Sequence, residues 1–183
     1  MKKLALSIAS LLAVSSLNSH ATNVAIDVGN DVFSLEAGSK NFSQSSEVSG
    51  AMIHADDRHL YSLKGLVTGV LEQNENLEAA LGGKAYLINF HDENIQGLAL
   101  GGEVNYKLPM NEKVEFHGSF YFAPSPLLTD DLDYLTDLTI TASYQLLKNG
   151  AVYINYRNIQ ADHESAGDFT MDNGFNVGLK FSF

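Results

Sequence analysis

The sequence predicts an all-β chain, an antiparallel up-and-down transmembrane β-barrel of about ten strands, with eight as the alternative, preceded by a cleaved signal peptide. Three observations predict it. The N-terminus has the layout of a secretory leader, and the rest of the chain alternates apolar and polar residues with period 2. The chain also ends on "NGFNVGLKFSF" (173–183), where Phe175, Val177, Leu179, Phe181 and Phe183 alternate with Asn176, Gly178, Lys180 and Ser182.

The leader comes first. Lys2 and Lys3 precede an apolar run from Leu4 to Val14, and Ser19 and Ala21 supply small residues at the −3 and −1 positions of a cleavage site. The run is too short to span a bilayer as a helix. Residues 1–21 therefore read as a signal peptide and residues 22–183 as the barrel. No Cys follows the site, which excludes a bacterial lipoprotein. The same absence excludes a disulfide scaffold and thiolate metal sites. The formal charge of −11 becomes −13 once the two leader lysines are gone, which argues against nucleic acid and against a basic membrane-surface binder.

The strands follow in order. Segments near 23–29 and 32–42 are separated by a turn at "GND" (29–31), and a third lies near 47–56. Near 60–73, Tyr61, Leu63, Gly65, Val67, Gly69 and Leu71 share one face, although Leu66 and Val70 interrupt the other. A Gly-rich strand near 77–90 precedes one near 95–108, where Leu98, Leu100, Gly102, Val104, Tyr106 and Leu108 oppose Ala99, Gly101, Glu103, Asn105 and Lys107. Near 113–123, Val114, Phe116, Gly118, Phe120 and Phe122 alternate with Glu115, His117, Ser119 and Tyr121. Near 136–147, Leu138, Ile140, Ala142, Tyr144 and Leu146 alternate with Asp137, Thr139, Thr141, Ser143 and Gln145. The last two strands lie near 151–162 and 173–183. Segments of this length exceed an ordinary globular strand and suit a tilted membrane-spanning one. The soluble alternative is a secreted β-sandwich or lipocalin-like barrel, with the apolar set turned inward.

The connections "NEN" (74–76), "PMNEK" (109–113) and "KNG" (148–150) are short, whereas "PSPLLTDDLDYL" (124–135) and "HESAGDFTMD" (163–172) are long. Outer-membrane barrels have short periplasmic turns and longer outer loops, so Phe183 is expected at the periplasmic end, and an even strand number brings the N-terminus there too. The final strand must pair with the first, because an open edge in lipid leaves backbone groups unsatisfied. Its aromatic ending resembles the C-terminal signal read by the barrel-assembly machinery. The expected partners are that machinery and outer-membrane lipid; the expected location is the bacterial outer membrane, and the expected state a monomer.

The face opposite the apolar one carries Glu36, Lys40, Lys64, Lys84, Glu103, Lys107, Glu115, Arg157 and Lys180. Both signs occur, and in a narrow lumen such charges must pair. The expectation is a polar plug, with a narrow ion path as the alternative. Three smaller groups carry residue types that can do chemistry. His163, Glu164 and Ser165 have the residue types of a hydrolase triad. His54, Asp56, Asp57 and His59 have those of a metal site. Asp130, Asp131 and Asp133 could attract a divalent cation. Each is read as solvated loop residues, so no catalytic, cofactor or metal site is assigned. "GLALGG" (97–102) lies inside a strand pattern, where glycines permit curvature or close packing.

Over 118–162 the chain resembles the YfaZ family of Gram-negative outer-membrane proteins. The resemblance rests on "YFAP" (121–124) after an aromatic strand, the acidic loop, a strand and short turn, and "YINYRNI" (153–159). "LGGKAYL" (81–87), "LALGGEVNYKLP" (98–109) and "NVGLKFSF" (176–183) extend it over most of the chain. It implies a barrel and a location, and no catalytic residues. The function expected is structural or surface-interacting. The alternatives are a narrow channel for ions or small solutes and a lipid-modifying enzyme.

Overall fold

In the computed structural model, residues 22–40, 45–56, 58–70, 75–90, 93–129, 132–163 and 169–183 are described. They form ten strands: β1 (Thr22–Val28), β2 (Val32–Lys40), β3 (Ser46–Ala55), β4 (Arg58–Val70), β5 (Leu77–Phe90), β6 (Glu93–Lys107), β7 (Val114–Pro124), β8 (Leu132–Leu147), β9 (Gly150–His163) and β10 (Phe169–Ser182). Each pairs antiparallel with its sequence neighbours, and β10 closes on β1 with Asn23 opposite Ser182 and Val28 opposite Val177. The result is a closed barrel of ten strands rather than eight. Both termini of the described chain therefore sit at one end, here the terminal end; the other is the distal end. The expected signal peptide, residues 1–21, lies outside the described residues.

The period-2 pattern sets which face is which. Leu63, Leu81, Leu100, Phe120, Ile140 and Leu179 point outward and are 49–72% exposed. Water does not solvate such a continuous apolar belt, whereas lipid chains do. A soluble barrel would turn these residues inward, so the outward direction decides against the lipocalin-like alternative.

Two expectations need correction. The connections do not sort into short at one end and long at the other. β3–β4 and β5–β6 are tight distal hairpins, and β8 and β10 start at Leu132 and Phe169, well inside the segments read as long loops. Strand pairing continues there because Leu132, Leu135 and Met171 have an apolar interior to cover. Lys107 is exposed at the terminal rim rather than inside the lumen, because β6 ends on it. The side chain of Lys40 lies outside the described residues.

The distal rim is uneven. β10 from Phe169 to Thr170 and from Asp172 to Asn176 pairs with β9, while β1 reaches only Val177. Strand tilt and stagger thus collect into one step at the β10–β1 seam. Arg58, at the start of β4, reaches across this step and donates to the Thr170 carbonyl. Elsewhere the wall draws in sharply at two glycines. A Cβ on Gly82 would lie 2.0 Å from the Gly65 carbonyl oxygen, and one on Gly101 would lie 2.1 Å from that of Phe120.

This register makes a direct prediction. Arg at a lipid-facing midplane position costs roughly 2–4 kcal/mol, and a lumen position escapes that cost. Ile140→Arg is expected to reduce the heat-resistant folded fraction on cold SDS gels far more than Thr139→Arg. Equal losses would contradict the assigned faces.

Candidate functional site in the barrel interior

The interior is divided along its axis. Toward the distal end it is apolar: Ile53, Leu60, Ile88, Leu135, Ile159 and Met171 are almost wholly buried and pack into one cluster with Tyr86 and Tyr121. These side chains come from seven strands, β3 to β5 and β7 to β10, so the layer spans the lumen. Leu66 and Ala80 extend the cluster along β4 and β5. Leu66, which interrupts the polar face in the sequence, is thus an interior residue.

Below this layer lie three cations, each met by carboxylates from other strands. Arg157 on β9 holds Asp27 on β1, with Nη2 2.9 Å from both carboxylate oxygens. Ser34 and Tyr153 donate to the same carboxylate at 2.8 and 2.9 Å. The Arg157 Nη1 faces Asp172 at 3.4 Å, and Asn176 donates to Asp172 and to Asn155. Lys64 on β4 is ringed by Glu103 (2.8 Å), Glu36 (3.4 Å) and Glu47 (3.9 Å). Ser49 donates to Glu36, and Tyr121 to Glu103. Lys84 on β5 reaches over to Asp137 on β8 at 2.6 Å, and Tyr86 donates to the same carboxylate at 2.8 Å. The Lys84 ammonium also lies 5.2 and 5.5 Å from the Tyr86 and Tyr121 ring centres, within cation–π range.

The alternation places these groups. Lys84 and Tyr86, or Arg157 and Ile159, are two apart on one strand and share the inward face. Desolvation decides the pairing. Asp137 is 1% exposed, and a lone charge so buried is strongly disfavoured.

A cavity of about 190 Å³ remains between the network and the terminal rim. Its lining runs from Asn23, Glu115, Ser143 and Lys180 up to Ile53 and Ile159, where the apolar layer forms its ceiling. The three glutamates around Lys64 could hold a divalent ion only if that ammonium left. Among the described residues no group of three or more His, Asp or Glu is arranged to hold a metal.

Of the charges predicted to face inward, Glu36, Lys64, Lys84, Glu103, Glu115, Arg157 and Lys180 line the cavity. Sequence reasoning put Asp137 on the polar face of its strand without naming it as a partner, and it missed Asp27, Glu47 and Asp172 and the whole apolar layer. Both carried a signal, because Ile88 and Ile159 stay in phase with Lys84 and Arg157. His54 and His59 are brought together, with Asp56 in the turn beside them at φ +49°. Asp57, Asp130, Asp131, Glu164 and Ser165 and the side chain of His163 lie outside the described residues, and Asp133 is exposed on β8.

An apolar exterior around a narrow, charge-paired lumen defines a small barrel of the outer-membrane type. The chain belongs to the YfaZ family, whose model, described as YfaZ precursor, matches residues 1–183. The comparison with curated proteins gives no match. Among solved structures, the KdgM porin has 13% identity and a TM-score of 0.47, over 89% of this chain and 99% of that one. The NanC porin has 8% identity and a TM-score of 0.49, over 90% and 100%. A structure reported under "Unveiling the Mechanism Behind the in-meso Crystallization of Membrane Proteins" has 11% identity and a TM-score of 0.50, over 91% and 83%.

The lumen network makes a second prediction. Lys84→Met strands the Asp137 charge and is expected to cost about 3–5 kcal/mol in urea unfolding from lipid vesicles. Asp137→Asn removes that charge and keeps an acceptor for Tyr86, so the double variant should recover more than half of the loss. Additive losses would show that the two residues do not act as a pair.

Proposed function

We propose that this chain is an integral outer-membrane barrel, closed at rest, with a structural or surface-interaction role. The apolar layer across the distal lumen carries the reading. Leu60, Ile88 and Leu135 are 0% exposed, so among the described residues packed apolar side chains occupy the distal lumen above the terminal-side cavity. The outward belt supports lipid as the main partner. With the terminal end toward the periplasm, the β10 ending through Phe181 and Phe183 is available to the assembly machinery. A monomer is the proposed state, supported by a barrel that is completed within one chain.

The second reading, a narrow channel, draws on one observation: the polar cavity penetrates from the terminal rim as far as Ile159. Planar-bilayer recording separates the two. The wild-type protein is expected to give no sustained current, and Ile88→Ser combined with Ile159→Ser to give measurable conductance by wetting the layer. Steady, ion-selective steps from the wild type would replace the closed-barrel reading with the channel.

A further inference from the structure

We propose that His54 and His59 form a binding site for a divalent transition-metal ion of borderline softness, Cu²⁺, Zn²⁺ or Ni²⁺, on the outer wall at the distal rim. The two residues stand directly opposite each other on β3 and β4, one rung in from the Ala55–Arg58 pair. Opposed side chains on an antiparallel pair have Cβ atoms about 4.5–5.5 Å apart, so two rings there must meet. They do: the ring centres are 4.6 Å apart at 17°, and the Nδ1 atoms are 3.1 Å apart. Ile53, Ala55 and Leu60 on either side are buried inside the barrel, which puts the pair on the outward face. It lies two rungs beyond Met52 and Tyr61, the next outward-facing pair, at the edge of the apolar belt.

The spacing matches what one ion requires. Zinc–imidazole bonds are about 2.0–2.1 Å, and two of them at a cis or tetrahedral angle hold their nitrogens about 2.9–3.4 Å apart. The two Nδ1 atoms already stand at that separation. Turning each ring about its Cβ–Cγ bond, a broad and soft torsion, is the adjustment required to aim both lone pairs at one ion. Binding selects the tautomer with hydrogen on Nε2 in both rings, and neutral imidazole is a common ligand near neutral pH. Two nitrogen donors favour Cu²⁺, Zn²⁺ and Ni²⁺ over Mg²⁺ and Ca²⁺, which take oxygen. The remaining coordination positions face outward, open to water or to a group from the membrane surface.

The test uses untagged full-length barrel in detergent, stripped with chelator and titrated with Cu²⁺ alone. Calorimetry and electron paramagnetic resonance are the readouts. One equivalent is expected to bind with coupling to two nitrogens. His54→Ala and His59→Ala should each weaken binding at least about tenfold and leave one coupled nitrogen, and the double variant should abolish the site. Heat-modifiable migration on SDS gels establishes that each variant is folded. Absence of binding to the wild type, single variants that bind as the wild type does, or a double variant that keeps the signal would each overturn the proposal.

Discussion

Three positive charges inside a narrow tube set the terms for the rest of this structure. Lys64, Lys84 and Arg157 cannot reach bulk water on the lipid side, so each needs a carboxylate inside the wall. None finds it on its own strand. Arg157 takes Asp27 and Asp172 from β1 and β10, and Lys64 takes Glu36, Glu47 and Glu103 from β2, β3 and β6. Lys84 takes Asp137 from β8. With Tyr121 on β7 bound to Glu103, every strand contributes to the network. Ion pairs of this kind contribute modest net stability. What they add is register: a one-residue slip of any strand would turn its charge into the bilayer.

The barrel is also polarised along its axis. Polar groups dominate the half near the termini, where Leu66 and Ala80 are the apolar exceptions, and apolar groups fill the distal half. Strand stagger explains how the apolar half is enclosed. β6 and β8 to β10 extend at the distal end and carry Ile95, Leu132, Leu135, Ile159 and Met171 over the lumen. β1 to β4 stop lower, and Arg58 spans the step by binding the Thr170 carbonyl of β10. The unpaired stretch of β10 thereby gains a partner where β1 cannot supply one. An edge left wholly free would invite pairing with other chains.

The wall was far more legible in the sequence than its contents. Alternation needs only local residues, so Ile140 out and Thr139 in could be read directly, as could the closing pair from Phe183 back to Phe175. Ten strands followed from segment lengths and the turn at Gly29–Asp31. Loop lengths misled, because β8 and β10 run on through Leu132 and Phe169 to cover the apolar layer. The partners of Lys84 and Arg157 were hidden for a different reason. Asp137 and Asp27 are 53 and 130 residues away, and only closure of the barrel brings them near. The apolar layer was masked by the binary pattern itself, in which an inward isoleucine looks like a lapse in alternation. His54 and His59 were visible as a pair near a turn, but the 3.1 Å contact depends on the β3–β4 register.

In the proposed closed barrel, the lumen opens only toward the terminal end and the distal layer seals it. The chain has no Cys, so a single introduced thiol reports its own accessibility. Thr139→Cys faces the cavity, and Asp56→Cys marks the distal surface. A small, membrane-impermeant methanethiosulfonate should modify Asp56→Cys in intact cells. It should reach Thr139→Cys only after the outer membrane is permeabilised. Equal rates at the two positions in intact cells would show that water passes the layer, and would contradict the account.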